Sequence, residues 1–534
     1  MATQGARSAT SVISRRLSSL ISPVVLIVVA ALAGLAAGLL SPLVTVCLGV
    51  VGLVVLMVLW IRAALPWARR KDQTGSTGSD PDAPPERAEL RLARLVFYLG
   101  TLTLGQSALR FAAGLTVSEF LFFGALALCV LAGLRGEGFT GVPSPIAVAV
   151  GIFVLGGALS SFDAQSPGGS AYQVMHALYV LLLWPCVGAM VLRSRGQLVA
   201  AIGLWSLSAA LDGLDALAQL VGLHVLGPVR QGNRMTGLTE NPNDLGGVTS
   251  IALVPALFIA TDKTAGRSPS RQALWWAIVA LVGTGLVLSG SVAGMAAAAG
   301  ALLIWLSSPL VRASARIAVL ATAVCALAVV VAAGTRISSP IQRVTQVTSP
   351  ASAGNNGSGQ DRISVAEQAW PRIKRDPVVG TGLDVNDSDV TIISHAYSVP
   401  YQIHGLPLAA WYETGLFGLI GLLGLIGVLA VLGWRGVAAA RDEDDALVGW
   451  ALLAALIAFV IEAMTQPLVF QQYGWVTGVM LVAWLYQPRP LQIPETAPAI
   501  DRTAAAHLRP LWPSALPGGG SRSTDPAAAR WNAW

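Results

Sequence analysis

The chain alternates between long apolar runs and short polar breaks. That rhythm holds almost from end to end. A polar head (1–19) is followed by apolar runs at 20–40 and 42–61, then by a charged Pro/Gly/Ser-rich stretch at 66–94. Further runs lie near 95–109, 116–134, 144–160, 172–192, 198–224, 245–260, 273–289, 292–310 and 316–334, and then at 406–432, 446–465 and 469–486. Each approaches the roughly 20 residues that a helix needs to cross a bilayer. The pattern predicts an all-α, polytopic transmembrane helical bundle of about fourteen spans. One segment breaks the rhythm: residues 335–404 are polar for far longer than a connection between two helices requires. They predict one large extracytoplasmic loop. Within it, residues 349–360 (SPASAGNNGSGQ) are small and turn-forming. Residues 361–375 (DRISVAEQAWPRIKR) set Ile363, Ala366, Trp370 and Ile373 three or four apart, the signature of an amphipathic helix. Asp361 is its expected N-cap, and Pro371 is expected to kink or end it near Trp370.

These breaks divide the chain. Residues 1–65 form a polar segment with a two-helix hairpin, read as a retained anchor, and 66–94 a cytoplasmic linker. The first part of the bundle is 95–334, the large loop 335–404 and the C-terminal helices 405–486. Residues 487–534, rich in Pro, Ala and Arg, read as a disordered cytoplasmic tail.

Composition agrees. Of the 534 residues 54% are hydrophobic and only 12% charged, where a soluble chain carries about 25%. Mean hydropathy is +0.65. The formal charge of +6 reports topology rather than nucleic-acid binding, because the basic residues are placed selectively. With the N-terminus inside, the short inner loops hold Arg135, Arg193, Arg195, Lys263, Arg267, Arg271, Arg312, Arg316, Arg435 and Arg441, while the short outer loops near 41, 161–171, 290 and 466 hold no Lys or Arg. Both termini are then cytoplasmic. The four cysteines (Cys47, Cys129, Cys186, Cys325) all lie in apolar runs and form neither a disulfide framework nor a metal spacing.

Two outer loops do carry basic residues, against that bias, and binding an anion is the simplest reason. In the first, Arg234 precedes the turn Asn241-Pro242-Asn243-Asp244, which caps the next span. A guanidinium there can grip phosphate with two prongs; a solvated loop arginine is the alternative. In the large loop, Arg362 opens the amphipathic helix, where a cation opposes the helix dipole, so stability does not explain it. Arg372, Lys374 and Arg375 close the helix, where cations are ordinary. His395 and His404 follow. An imidazole is the usual group for accepting a hydroxyl proton near neutral pH, and a structural interface histidine is the competing reading. Asp384, Asn386, Asp387 and Asp389 fail the calcium-loop pattern, lacking its central Gly and its final Glu, so no metal is expected. Within the spans, Asp212, Asp215 and Gln219 share one helix face. An acid at bilayer depth costs roughly 3 kcal/mol on insertion scales, so that face should turn into the bundle or a wet cavity. Glu119, Glu413 and Glu462 fall near outer helix ends.

Three motifs, in order, resemble the bacterial O-antigen ligase and O-antigen polymerase family. RMTGLTENPNDLG (234–246) resembles its outer-loop arginine with a Gly and an Asn-Pro-Asn turn. DRISVAEQAWPRIKRDPVVGTGL (361–383) resembles its second arginine, Trp and Pro-x-x-Gly-x-Gly turn. HGLPLAAWYETGLFGLIG (404–421) resembles its His…Glu-x-Gly-x-x-Gly re-entry into the membrane, and that spacing selects His404 over His395. Gly405 stands where the family usually has Asn, and LSGSVAGM (288–295) lacks the Ser-Arg pair common in relatives.

The resemblance implies a metal-independent glycosyltransferase of the bacterial plasma membrane that needs no cofactor. Its donor would be a polyprenyl-diphosphate-linked glycan and its acceptor a glycan or a lipid. Membrane lipids are further partners, and nucleic acid is not one. Arg234 and Arg362 would hold the diphosphate and His404 would assist the acceptor hydroxyl, with Asn243, Glu413, Asp212 and Asp215 contributing to substrate binding. A transporter or anion carrier with an outward-facing Arg/Asp-lined cavity is the competing class. Such carriers are built from paired halves, and no internal repeat is evident. A structural scaffold would need neither Arg234 nor His404.

Overall fold

The structure is a computed structural model. It describes residues 86–110, 115–134, 142–223, 233–262, 268–311, 359–383, 390–394, 397–400, 403–440, 442–466 and 471–487, with a few positions between 313 and 319. The N-terminal hairpin, the runs at 20–61 and 320–334, the polar stretch 335–358 and the tail lie outside the described residues.

The helices are α1 (Ala88–Leu102), α2 (Val117–Ala132), α3 (Ser144–Ser160), α4 (Pro167–Leu178), α5 (Trp184–Val191), α6 (Arg195–Leu220), α7 (Pro242–Thr261), α8 (Pro269–Ser289) and α9 (Val292–Ser307). After them come α10 (Gly359–Arg375), α11 (Leu406–Ala438), α12 (Glu443–Ala463) and α13 (Gln472–Leu485). A π-helical turn, Tyr179–Leu183, joins α4 to α5, so Pro167–Val191 runs on as one span. A short antiparallel hairpin, β1 (Thr391–Ser394) with β2 (Tyr397–Pro400), is the departure from an all-helical fold.

Six helices among the described residues are long and apolar enough to cross a membrane: Pro167–Val191, α6, α7, α8, α11 and α12. Three apolar helices, α2, α3 and α9, are shorter. The run at 95–109 does not form a helix over its whole length, because α1 ends at Leu102. The chain turns there so that Gly105 can donate its N–H to Ser208 Oγ at 2.9 Å and lie against Asp212, where any Cβ would strike the carboxylate.

The central helix is α7. It is buried along nearly its whole length and packs against α6, α8, α9 and α12. A helix apolar all round belongs in such a position. Close approach elsewhere uses glycine: a Cβ on Gly156 of α3 would lie 2.5 Å from the backbone of Gly418 on α11. Small residues at a crossing let two backbones meet, the usual device of helix packing in lipid.

Helix α10 corrects two expectations. It starts at Gly359, ahead of Asp361, and continues through Pro371 to Arg375. Pro371 removes one backbone hydrogen bond but comes within a turn of the end. Ile373 beyond it is buried with Val365, Ala369, Ile403, Ala409 and Tyr412. The buried face is thus Val365–Ala369–Ile373, whereas Ile363 and Trp370 are 51% and 42% exposed. Trp370 instead meets Trp411 of α11 edge-on, with ring centroids 5.6 Å apart.

Candidate active site at the loop end of the bundle

The site begins with a helix cap. Asn241 is extended, and its side chain accepts hydrogen bonds from the N–H groups of Asn243 (2.9 Å) and Asp244 (3.1 Å). Pro242 follows at the first helical position, where its missing N–H costs nothing. The sequence Asn-Pro-Asn-Asp therefore fixes Asn243 and Asp244 in the first turn of α7, as the capping pattern predicts.

Arg234 reaches this turn from the preceding loop. Its Nε donates to the carbonyl of Ser289 at 2.8 Å and its Nη2 donates to Asn243 Oδ1 at 2.6 Å. The half-buried guanidinium is thereby anchored between the end of α8 and the start of α7. Behind it, Met235 N–H bonds the Leu288 carbonyl at 3.0 Å. Gln219 secures the next two residues: its Oε1 accepts from Thr236 N–H at 3.0 Å and its Nε2 donates to the Gly237 carbonyl at 3.0 Å. Nε2 also donates to Asp215 Oδ2 at 2.9 Å. Asp212, Asp215 and Gln219 are all buried, so the polar face of α6 does turn into the bundle. There it braces the turn that carries Arg234.

Opposite α7 stands Glu462, in the last turn of α12. It is fully buried, and neither carboxylate oxygen accepts a hydrogen bond from the described residues. Gly247 of α7 leaves it room: a Cβ there would sit 3.4 Å from Glu462 Cγ and 3.1 Å from the Tyr473 hydroxyl. Tyr473 donates that hydroxyl to Asp244 Oδ1 at 3.2 Å. Arg362 arrives on α10, half-buried on the same face as Val365 and Ala369.

His404 is half-buried just before α11. The next residue, Gly405, has φ 93° and lies against the carbonyl of Met464, two residues beyond Glu462. Positive φ is easiest for Gly, which carries no Cβ. The histidine and the acid therefore belong to adjoining helix ends.

Glu413 lies farther along α11, 8% exposed, at a break in that helix. Gly415 there has φ 66° and ψ −166°. The turn Asp376–Gly382 is threaded into the break. Leu416 N–H bonds the Pro377 carbonyl (3.0 Å), Thr381 N–H bonds the Tyr412 carbonyl (3.0 Å) and Gly382 N–H bonds the Glu413 carbonyl (2.9 Å). A Cβ on Gly415 would lie 2.0 Å from the Val378 oxygen. This explains two of the sequence motifs at once. The Gly-x-Gly turn supplies partners for backbone groups that the broken helix cannot pair itself.

Residues 277–423 match the family model described as O-antigen ligase. The chain carries an O-antigen ligase family domain. No curated protein matches the chain. The O-antigen ligase match contains Ser289, Arg362, His404 and Glu413, whereas Arg234, Asn243, Asp244 and Glu462 lie outside its limits. Packing nevertheless brings Arg234 and Asn243 to the same end of the bundle.

His395 and the polar positions Asp384, Asn386, Asp387 and Asp389 lie outside the described residues. Sequence reasoning placed Glu462 near an outer helix end without giving it a part in the site, and did not single out Tyr473. For Glu462 a signal existed, an acid closing an otherwise apolar run of 446–465. Tyr473 offers none, because an interfacial aromatic is ordinary in a membrane helix.

Proposed function

We propose that the protein transfers a glycan from a polyprenyl-diphosphate carrier to an acceptor hydroxyl, the acceptor being a glycan or a lipid. The observation that carries this reading is Arg234, held by Ser289 and Asn243 at the first turn of α7, where Gly247 packs on Glu462 and, two residues on, Met464 meets Gly405 beside His404. In a chain with an O-antigen ligase domain, two fixed cations beside a base fit a diphosphate leaving group and a hydroxyl nucleophile.

The chemistry divides accordingly. The bond between the anomeric carbon and the phosphate oxygen breaks, and its electron pair stays on the diphosphate. Arg234 and Arg362 stabilise that developing charge without reorganising, since Arg234 is already anchored by Ser289 and Asn243. The acceptor oxygen bonds the anomeric carbon, and its proton passes to the His404 imidazole. Asn243 acts by aiming Arg234. Asp215 acts through Gln219 on the same loop, Asp212 lies against that loop at Gly237, and Glu413 acts at the break in α11. The arginines supply the positive charge for which other phosphate-dependent transferases recruit a divalent ion.

In the membrane, the distribution of basic residues puts the site on the extracytoplasmic face, with both termini and the 66–94 linker in the cytoplasm. About fourteen spans in the bacterial plasma membrane satisfy that arrangement. Two experiments test the reading. Purified protein should move glycan from a lipid-diphosphate donor to an acceptor, and absence of transfer with every lipid-diphosphate donor offered would end the proposal. Cysteine labelling in intact cells should reach residues 349–360 and miss 72–82; labelling of 72–82 from outside would invert the topology.

A further inference from the structure

A further arginine is held at the start of α7. In the proposed topology the break between α1 and α2 faces outward, yet it carries Arg110, against the bias that keeps basic residues inside. Its Nε donates to the Ser107 carbonyl at 3.2 Å and pairs with Glu240 Oε1 at 2.6 Å. Glu240 is the residue before the Asn241 cap. The Glu240 N–H donates to Ser107 Oγ at 3.3 Å, and the Ala108 N–H donates to the Leu238 carbonyl at 3.1 Å. A bridge between the backbones of Arg110 and Thr116 closes the turn from its other side.

These contacts grip the guanidinium by one edge. Both partners meet Nε, and neither Nη nitrogen hydrogen-bonds to a described residue. The side chain is 40% exposed. The flanking stretches outside the described residues, 111–114 (FAAG) and 224–232 (HVLGPVRQG), contain no acid to take the other end. An ion pair formed for stability gains most from two parallel N–H···O bonds, and at such exposure it gains little in any case. The arrangement here orients the arginine and leaves its two-pronged end unused.

We propose that Arg110 is a second oxyanion-binding arginine of the site, presenting that free end to the lipid-linked donor. Its ligand is a phosphate oxygen of the diphosphate or a carboxylate on the first sugars. The inference rests on the proposed lipid-diphosphate donor. Arg234 is anchored on Asn243, inside the first turn of α7, and Arg110 on Glu240, ahead of the cap. Three residues of chain separate these anchors, at most about 11 Å when fully extended. A diphosphate with its attached sugar bridges such a gap. Glu240 lowers the cost of ordering the guanidinium before the ligand arrives, and its own charge, 41% exposed, is screened by solvent.

Two measurements on purified full-length protein test this. One is binding of a polyprenyl diphosphate without glycan. The other is the KM for the intact donor, before and after methyl esterification of its carboxyl groups. Wild type is compared with Arg110→Ala, Arg110→Lys and Glu240→Gln, each with its unfolding midpoint in detergent. Arg110→Ala is expected to lose about tenfold, the effect of one charge-assisted, two-pronged contact at a partly exposed position. If the ligand is the diphosphate, the loss appears in probe affinity. If it is a sugar carboxylate, the probe binds as before and the KM for the acidic donor rises to that for the esterified one. Arg110→Lys keeps the charge without the fork and should recover only part of the loss.

Unchanged probe affinity together with unchanged donor KM in Arg110→Ala overturns the inference. If that variant does not fold, wild-type values in Arg110→Lys overturn it. An ion pair that only ties the two turns together predicts a lower midpoint in both Arg110→Ala and Glu240→Gln with no change in affinity, and that result also overturns it. A wild-type protein that binds no probe and transfers no glycan overturns the proposed function instead, whatever Arg110 does.

Discussion

The two ends of the bundle use similar residues to opposite effect. At the end where α1 and α6 begin and α13 stops, polar groups close helix termini. Ser194 and Gln197 form a reciprocal capping box on α6, Asp442 caps α12 through the Asp445 N–H at 2.7 Å, and Trp484 donates to Asp445 Oδ1 at 2.8 Å. Arg94 donates to the Val191 carbonyl at 2.8 Å and pairs with Glu86. At the loop end, side chains reach across the molecule. Tyr473 bonds Asp244, Arg234 bonds the Ser289 carbonyl, and Glu462 is left without a hydrogen bond from the described residues. At the first end, caps satisfy helix termini close at hand, as groups that support the fold do. The second gathers charge it does not neutralise by hydrogen bonding, which is how a protein prepares to receive a ligand.

Substitutions should separate the ends. His404→Ala is expected to lower glycan transfer by roughly 10²–10⁴, the range for a general base. His395→Ala should do far less, and an equal loss there would move the base to His395. Next come Arg234→Ala and Arg362→Ala, each expected to cost about 10²–10³ in rate with protein levels near normal. Near-wild-type turnover in both would dissolve the contrast between the ends. Gly415→Ala should act on folding, by about 1–3 kcal/mol from backbone strain, with a further loss from collision with Val378. It is read as lower yield and a lower unfolding midpoint in detergent. At the opposite end, Asp445→Ala should cost about 1–3 kcal/mol of stability through the orphaned Trp484 N–H while leaving kcat and KM unchanged. A kinetic effect there would mean that the ends are coupled. The smallest effect is expected from EDTA, which should leave turnover intact. Loss restored by Mg²⁺ or Mn²⁺ would bring Asp384, Asp387 and Asp389 forward as ligands.

Local chemistry was the legible part of the sequence. The Asn241 cap could be read in advance because a cap is made by residues three apart, and the buried face of α6 because a membrane charges heavily for Asp212. The face of α10 was misjudged by one side. Ile363 and Trp370 are its largest apolar residues, but the neighbour that decides its orientation is the start of α11, some thirty or more residues onward in the chain. The same holds for Pro371, tolerated because Ile373 has somewhere to pack. Tyr473 joins the site through helix packing alone, and periodicity within one helix carries no record of which other helix it meets.

The break at Gly415 also sets a length. A straight helix over Leu406–Ala438 would extend roughly 50 Å, well beyond a hydrocarbon core of about 30 Å. Beyond Gly415, the part from 416 to 438 measures roughly 34 Å, close to one bilayer crossing. The break therefore divides a single helix into a ruler and a bracket. The longer part fixes where the lipid ends, and the shorter part, stapled to the Pro377–Gly382 turn, carries His404 at a set height above that line. Lengthening the longer part by one turn would lift the bracket by about 5 Å while leaving every contact within it unchanged. Such a variant would present the same groups at the wrong depth for the lipid-tethered diphosphate donor proposed above.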